Sequence, residues 1–326
     1  MGVDPIDYQQ AKVDENDLQF AAQMGATHVV LQSYANAGIV PGDERWEYDD
    51  LVQLRQRVED AGLILEALEN VPLKFYDQVM LGGPDRDRQI ENMVYTVRNI
   101  ARAGIPIFGY HWMPTLVGRT SLTTEIRSGS RVTAFDLTQA KKDPLLMDRR
   151  YTENEMWENL EHWIKIIVPV AEQEGIRIGI HPCDPPVAEL QGIPQLFRSF
   201  EAYKRLISIV ESPSNCIEFC QGTFSEMEDA KGDGIYDMIE YFGERDKILY
   251  VHFRNVSETV PSFREEFINT GYVDMYRAMQ TYKKVGFEGM FVDDHVPVVV
   301  GDSPWGHRGR AFANGYIQAL MDVVES

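Results

Sequence analysis

Basic residues are scarce in this chain: 31 Lys and Arg stand against 51 Asp and Glu, for a formal net charge of −20. A broad electrostatic hold on nucleic acid or on an anionic membrane surface is thereby disfavoured, and an anionic ligand has to be met by a local group of Arg and His. Long apolar runs are missing too. No stretch approaches the roughly 18 to 20 residues that span a bilayer, and the start MGVDPIDYQQ has no basic segment followed by an apolar one, so a soluble, cytoplasmic protein is expected. Cysteine is nearly absent. Cys183, Cys216 and Cys220 are odd in number and close in sequence, which argues against a secreted disulfide framework. Cys216, inside an apolar run, reads as a small buried hydrophobe. Cys220 differs, because it ends its run and is followed by Gln221-Gly222.

What is present is an alternation of short apolar runs with amphipathic stretches. Strand-like runs fall near residues 5 to 9, 27 to 33, 63 to 69, 105 to 112, 176 to 181, 215 to 220, 248 to 254 and 289 to 294. Helical periodicity occupies 15 to 24, 46 to 61, 87 to 103, 153 to 174, 197 to 210, 233 to 243, 272 to 285 and 308 to 324. Ala61-Gly62, Ala103-Gly104, Glu174-Gly175 and Val285-Gly286 each place a glycine just past a helix and just before a strand. Repeated βα units predict a parallel sheet, here one α/β domain over 1–326 closed as a (β/α)8 TIM barrel. Residues 113–150 break the repeat: they are long, polar and without sustained periodicity, and they follow the fourth strand at its C-terminal end. They are read as a lid or insertion loop over the barrel mouth.

Four consecutive runs end in metal-ligand residue types: RIGIHPCDPP at His181, NCIEFCQG at Cys220, ILYVHFRN at His252 and MFVDDHVP at Asp294. Ligands at the same end of neighbouring parallel strands converge on one point of a barrel mouth. Two imidazoles, a thiolate and a carboxylate suit a single divalent transition metal. Zinc is the first choice from ligand types alone, with manganese, iron, cobalt and nickel open. His295, next to Asp294, is placed as a catalytic acid or base. Arg119 in VGRT and Arg254 in HFRN can offer a planar fork to a carboxylate. Asp184 beside Pro-Pro suits a fixed acceptor for a neighbour or a substrate hydroxyl, and His111, beside Trp112, is placed at the same mouth. A metal beside a base and an arginine suits proton abstraction next to a carboxylate. Elimination of a β-hydroxyl from a sugar acid is one outcome, and isomerisation or epimerisation is the other.

The motifs resemble, in order, those of the mannonate dehydratase family of xylose-isomerase-like TIM barrels. AGLILEALENVPL, GYHWMP with GRT, HPCDPP, FCQGTFSEM, VHFRNV, GYVDM and DDHVP each have a counterpart there, and VHFRNV is nearly identical to the family's His-Leu-Arg-Asn-Val. The resemblance implies a manganese-type ion (Mn2+, with Fe2+, Co2+, Ni2+ or Zn2+ as alternatives) on His181, Cys220, His252 and Asp294. It also implies His295 as a catalytic group and a 2-keto-3-deoxy acid as product, with homo-oligomerisation open. This chain departs from the pattern in three places. Cys183 replaces an acidic residue, Ile268 stands where the family keeps a His, and PWGHRGR puts Trp305 where the family's catalytic Tyr precedes Gly-Arg. An indole cannot exchange a proton as a phenol does. His307 is therefore assigned to catalysis with His295 and Arg254, Tyr316 being a further substitute for the phenol. Arg119, His111, Asp184, Trp305 and Arg310 are assigned to a sugar-acid substrate. A sugar isomerase or epimerase, and a barrel that binds metal or ligand without catalysis, are the alternatives.

Overall fold

Eight parallel strands close on themselves in the computed structural model, which describes residues 1–3, 6–7, 12–33 and 39–326. In chain order these are β1 (Gly2–Val3), β2 (His28–Gln32), β3 (Ile64–Glu69), β4 (Ile107–His111), β5 (Arg177–His181), β6 (Asn215–Cys220), β7 (Ile248–His252) and β8 (Met290–Val292). Each pairs with the next, and Gly2 closes the ring between His28 and Val292. The principal outer helices are α1 (Glu15–Gln23), α2 (Tyr48–Asp60), α3 (Arg86–Arg102), α4 (Glu153–Glu174), α5 (Phe200–Ile209), α6 (Gly234–Gly243), α7 (Met275–Lys284) and α8 (His307–Glu325). The expected glycine stops are real: Gly62, Gly104, Gly175 and Gly286 all have φ between 72° and 79°, a left-handed turn that costs a residue without Cβ little. At the other end of α4, Thr152 and Glu155 form a capping box.

Two expectations need correction. The first barrel strand is Gly2–Val3, not residues 5 to 9. Ile6–Asp7 instead pairs antiparallel with Lys12–Val13, and residues 5, 8 and 9 lie outside the described residues. A two-residue strand leaves no apolar run to read, and it relies on Gly2, where a Cβ would come 3.0 Å from Cγ2 of Val292. The segment 113–150 is also more ordered than its lack of periodicity suggested. Ser121–Glu125 and Arg131–Asp136 form a hairpin, to which Ser262–Arg264, from the loop after β7, adds a third strand. Its anchor is a cluster in which Phe135 meets Phe263, ring centroids 5.7 Å apart, along with Val187, Leu190, Val256 and Val260, so most of the apolar residues that hold the segment lie outside it in sequence.

Candidate active site

The C-terminal end of the barrel gathers the residues that close β5 to β8. His181, Cys220 and His252 each end a strand, are buried, and bring one donor atom apiece to within 4.8 Å of one another. Asp294, two residues past β8, places Oδ2 3.8 Å from Sγ of Cys220 and 3.9 Å from Nδ1 of His252. Nδ1 of His181 donates to the carbonyl of Pro182 at 2.7 Å, which leaves its Nε2 turned inward. His252 is held from the opposite edge: Nε2 is 3.0 Å from Oε2 of Glu69, and Nδ1 is buried without a partner. Burial alone would raise the Cys220 thiol, yet the Arg254 guanidinium and the His181 ring draw it down to about 5. Burial would likewise lower His181, but Glu218 and Cys220 hold it up at about 10. A thiolate beside two imidazoles and a carboxylate fits a borderline divalent transition ion, and the unpartnered Nδ1 of His252 is a donor in want of an acceptor.

Beside these donors lies a network that the sequence did not announce. All five N–H groups of Arg254 are used: Nε on Asp294 Oδ2 at 2.6 Å, Nη1 on Glu226 at 3.1 Å and Glu265 at 2.9 Å, Nη2 on Asp184 at 3.1 Å and Thr223 at 2.9 Å. Arg119 is equally saturated, by both oxygens of Asp184, by Glu265 at 2.8 Å, by Thr133 at 3.1 Å and by the carbonyl of Gly118 at 3.0 Å. Neither fork is open to a ligand carboxylate, which corrects that expectation. With four carboxyl groups around two guanidiniums, the arginines are needed to hold the buried acids. Burial would raise Asp184, but Arg119 and Arg254 keep it well below the usual carboxylate range. Burial and the neighbouring Asp184 push Glu226 well up.

Other nominated residues divide between the cavity and its surroundings. His111, Arg119, Asp184, Arg254, His295, Trp305 and Arg310 all line one cavity with His181, His252 and Asp294. His295 donates from Nδ1 to Oε1 of Glu265 at 2.9 Å and keeps Nε2 3.7 Å from Oδ1 of Asp294. Partial desolvation of this 40%-exposed ring would lower its pKa, but the charges of Asp294 and Glu265 raise it. Burial and the charge on His181 bring His111 down to about 3, so it is a neutral ring at pH 7. Arg310 bonds Asp293 at 2.8 Å and the carbonyl of Trp305 at 3.0 Å, and it lies over the indole at 4.8 Å. His307 is not brought to this cavity. Gly306, at φ 87°, turns the chain into α8 so that His307 meets Asp17 of α1 at 3.2 Å, Ser303, and the ring of Phe20. It pins the last helix to the first. Tyr316 also stands outside the cavity lining, and Ile268 is buried.

Four acidic residues escaped the sequence reading: Glu69, Glu218, Glu226 and Glu265. Glu69 ends β3 and Glu218 lies two residues before Cys220, so strand alternation turns both toward the barrel interior, and that signal could have found them. Glu226 ends the six-residue helix Gln221–Glu226 and Glu265 follows the strand Ser262–Arg264, elements too short for periodicity to mark.

A closed parallel barrel with convergent polar groups at the C-terminal ends of its strands defines a TIM-barrel enzyme. The D-mannonate dehydratase (UxuA) family model matches residues 8–150 and 141–326. The mannonate dehydratase of Streptococcus agalactiae serotype V is 32% identical over 315 residues, covering 87% of this chain and 89% of that protein. The crystal structure of mannonate dehydratase from Streptococcus suis serotype 2 superposes with a TM-score of 0.84 at 28% identity, over 99% of this chain and 93% of that one. A xylose isomerase-like TIM barrel protein from Mycobacterium smegmatis shares the fold alone, with a TM-score of 0.60 at 13% identity over 95% of this chain and 89% of that one. The chain belongs to the mannonate dehydratase family and is a hydro-lyase.

Proposed function

We propose that this chain is a metal-dependent sugar-acid dehydratase, removing water from a hexonate-type acid to give a 2-keto-3-deoxy acid. The observation that carries the reading is the convergence of His181, Cys220, His252 and Asp294 at the barrel mouth of a chain of this family. These residues would hold one divalent ion, Mn2+ in the first instance, whose charge would favour ionisation next to the substrate carboxylate. Arg254 keeps Cys220 a thiolate and Asp294 in place, and Glu69 fixes the ring of His252. His295 is the proton-handling group. Its Nδ1 is committed to Glu265, so Nε2 faces the cavity carrying the proton that its raised pKa retains, ready to pass to a departing hydroxyl. His111 and Trp305 supply neutral walls for the polyol, with Arg310 behind the indole. The hairpin of 121–136 is a cover for the mouth, since Leu122 and Thr133 line the same cavity.

The test is a panel of hexonates and pentonates, read by a semicarbazide or thiobarbiturate assay for the keto-deoxy product, with Cys220→Ala as control. The expected outcome is product from at least one acid, and loss of both metal and product in the variant. Trp305 favours a second reading, isomerisation or epimerisation, because the family's phenol is missing from the wall. Solvent deuterium entering recovered substrate, with no keto-deoxy product, would select that reading.

A further inference from the structure

Beneath the strand-end donors lies a polar layer in which the proposed chemistry gives Glu218 no part. Glu218 is fully buried, and neither of its carboxylate oxygens has a hydrogen-bond partner. Its Oε1 stands 3.8 Å from Nε2 of His181 and 3.8 Å from Nε2 of His252. Glu69 is also buried, and its Oε2 takes the Tyr250 hydroxyl at 3.2 Å besides facing His252. Glu69, His181, Glu218 and His252 each offer one donor atom, all within 4.8 Å of one another. The layer is built around Glu218. Gly109 and Gly179 face each other across β4 and β5, where a Cβ on Gly109 would fall 2.7 Å from Oε2 of Glu218 and one on Gly179 2.9 Å from its backbone nitrogen.

A buried carboxylate with both oxygens unbonded is expensive, and buried polar groups are almost always satisfied by protein, water or an ion. We propose that this layer is a second cation position, one side chain deeper than the first, taking a small divalent transition ion on Glu69, Glu218 and Nε2 of His252, with His181 at its edge. Two carboxylates and an imidazole suit manganese, cobalt or zinc. The ion takes the place of the Nε2 proton of His252, which is released to solvent. Nδ1 of the same ring faces Asp294, so one imidazole has an edge toward each position. The proposal rests on the upper donor set for that second edge.

The experiment loads metal-stripped protein with Co2+, counts bound ions by elemental analysis after desalting, and follows the thiolate-to-cobalt absorption, which reports Cys220 and hence the upper position alone. Two ions per chain are expected for the wild type, and one ion with an undiminished thiolate band for Glu218→Gln. A wild-type count of two, or of one with the full thiolate band, decides even if that variant does not fold. One ion per chain with a full thiolate band overturns the proposal and leaves Glu69 and Glu218 sharing a proton. One ion without the band, lost in Glu218→Gln, supports the deeper position and overturns the upper donor set. No bound ion overturns both.

Discussion

At the scale of single residues, the site is governed by how acids are held in a medium that disfavours charge. Glu69 shows the balance. Burial would raise its pKa, but the rings of His252 and His181 bring it down to about 2 from an ordinary 4.5. A depressed carboxyl contributes stability that is present above its unfolded pKa and is lost as pH falls through the folded value. In chelator-treated protein that contribution, on the order of 3 kcal/mol, should therefore drain away between about pH 4.5 and pH 2. Urea midpoints across that interval should fall more steeply for the wild type than for Glu69→Gln, and parallel curves would reject the pairing with His252. The same reasoning explains why Arg119 and Arg254 could be named from the sequence yet given the wrong partners. A guanidinium next to a strand end is visible in a motif, whereas the acids Glu226 and Glu265 that help saturate it are brought there only by folding.

At the scale of elements, the three-stranded arm of 121–125, 131–136 and 262–264 is the part on which sequence and structure differ most. Its strands are short and polar, and two distant segments supply its ring-on-ring contact, Phe135 on Phe263. The arm nevertheless reaches the site, because Arg119 bonds Thr133 at 3.1 Å and its guanidinium lies 5.3 Å from the Phe263 ring centroid. Truncating a buried phenylalanine costs about 3 to 5 kcal/mol. Phe263→Ala should thus release the arm while the barrel stays folded, and trypsin should cut at Arg127 and Arg131 several-fold faster with no matching change in far-ultraviolet circular dichroism. Unchanged cleavage would mean that backbone pairing, the Arg119–Thr133 bond and the rest of the Phe135 cluster hold the arm without Phe263. The outer helices are the opposite case. Amphipathic period and a glycine stop are local signals, and α2, α3, α4 and α7 end within about two residues of where these signals place them.

At the scale of the whole molecule, donors from four strands meet only because the barrel closes. An ion bound to the folded chain and not to the unfolded one stabilises by RT ln(1 + [L]/Kd), about 4 kcal/mol at a thousandfold excess over Kd. Protein loaded with Mn2+ should accordingly melt several degrees above the same protein in EDTA, as read by differential scanning fluorimetry. Equal melting temperatures would count against a resident ion. Closure itself depends on Gly2, whose pairing with His28 and Val292 joins the first strand to the last, so loss of residues 1–3 leaves two strand edges open.

The sequence by itself determined the βα alternation, the helix stops and the placing of His181, Cys220 and His252 at strand ends, because periodicity, glycine conformation and strand polarity are properties of neighbouring residues. Only the tertiary structure decided what those residues meet. It turned Arg119 and Arg254 inward onto buried acids and moved His307 to a clasp between α1 and α8. It also set Glu69 and Glu218 beneath the strand-end donors, since such contacts join positions from 11 to 290 residues apart and no local pattern records them.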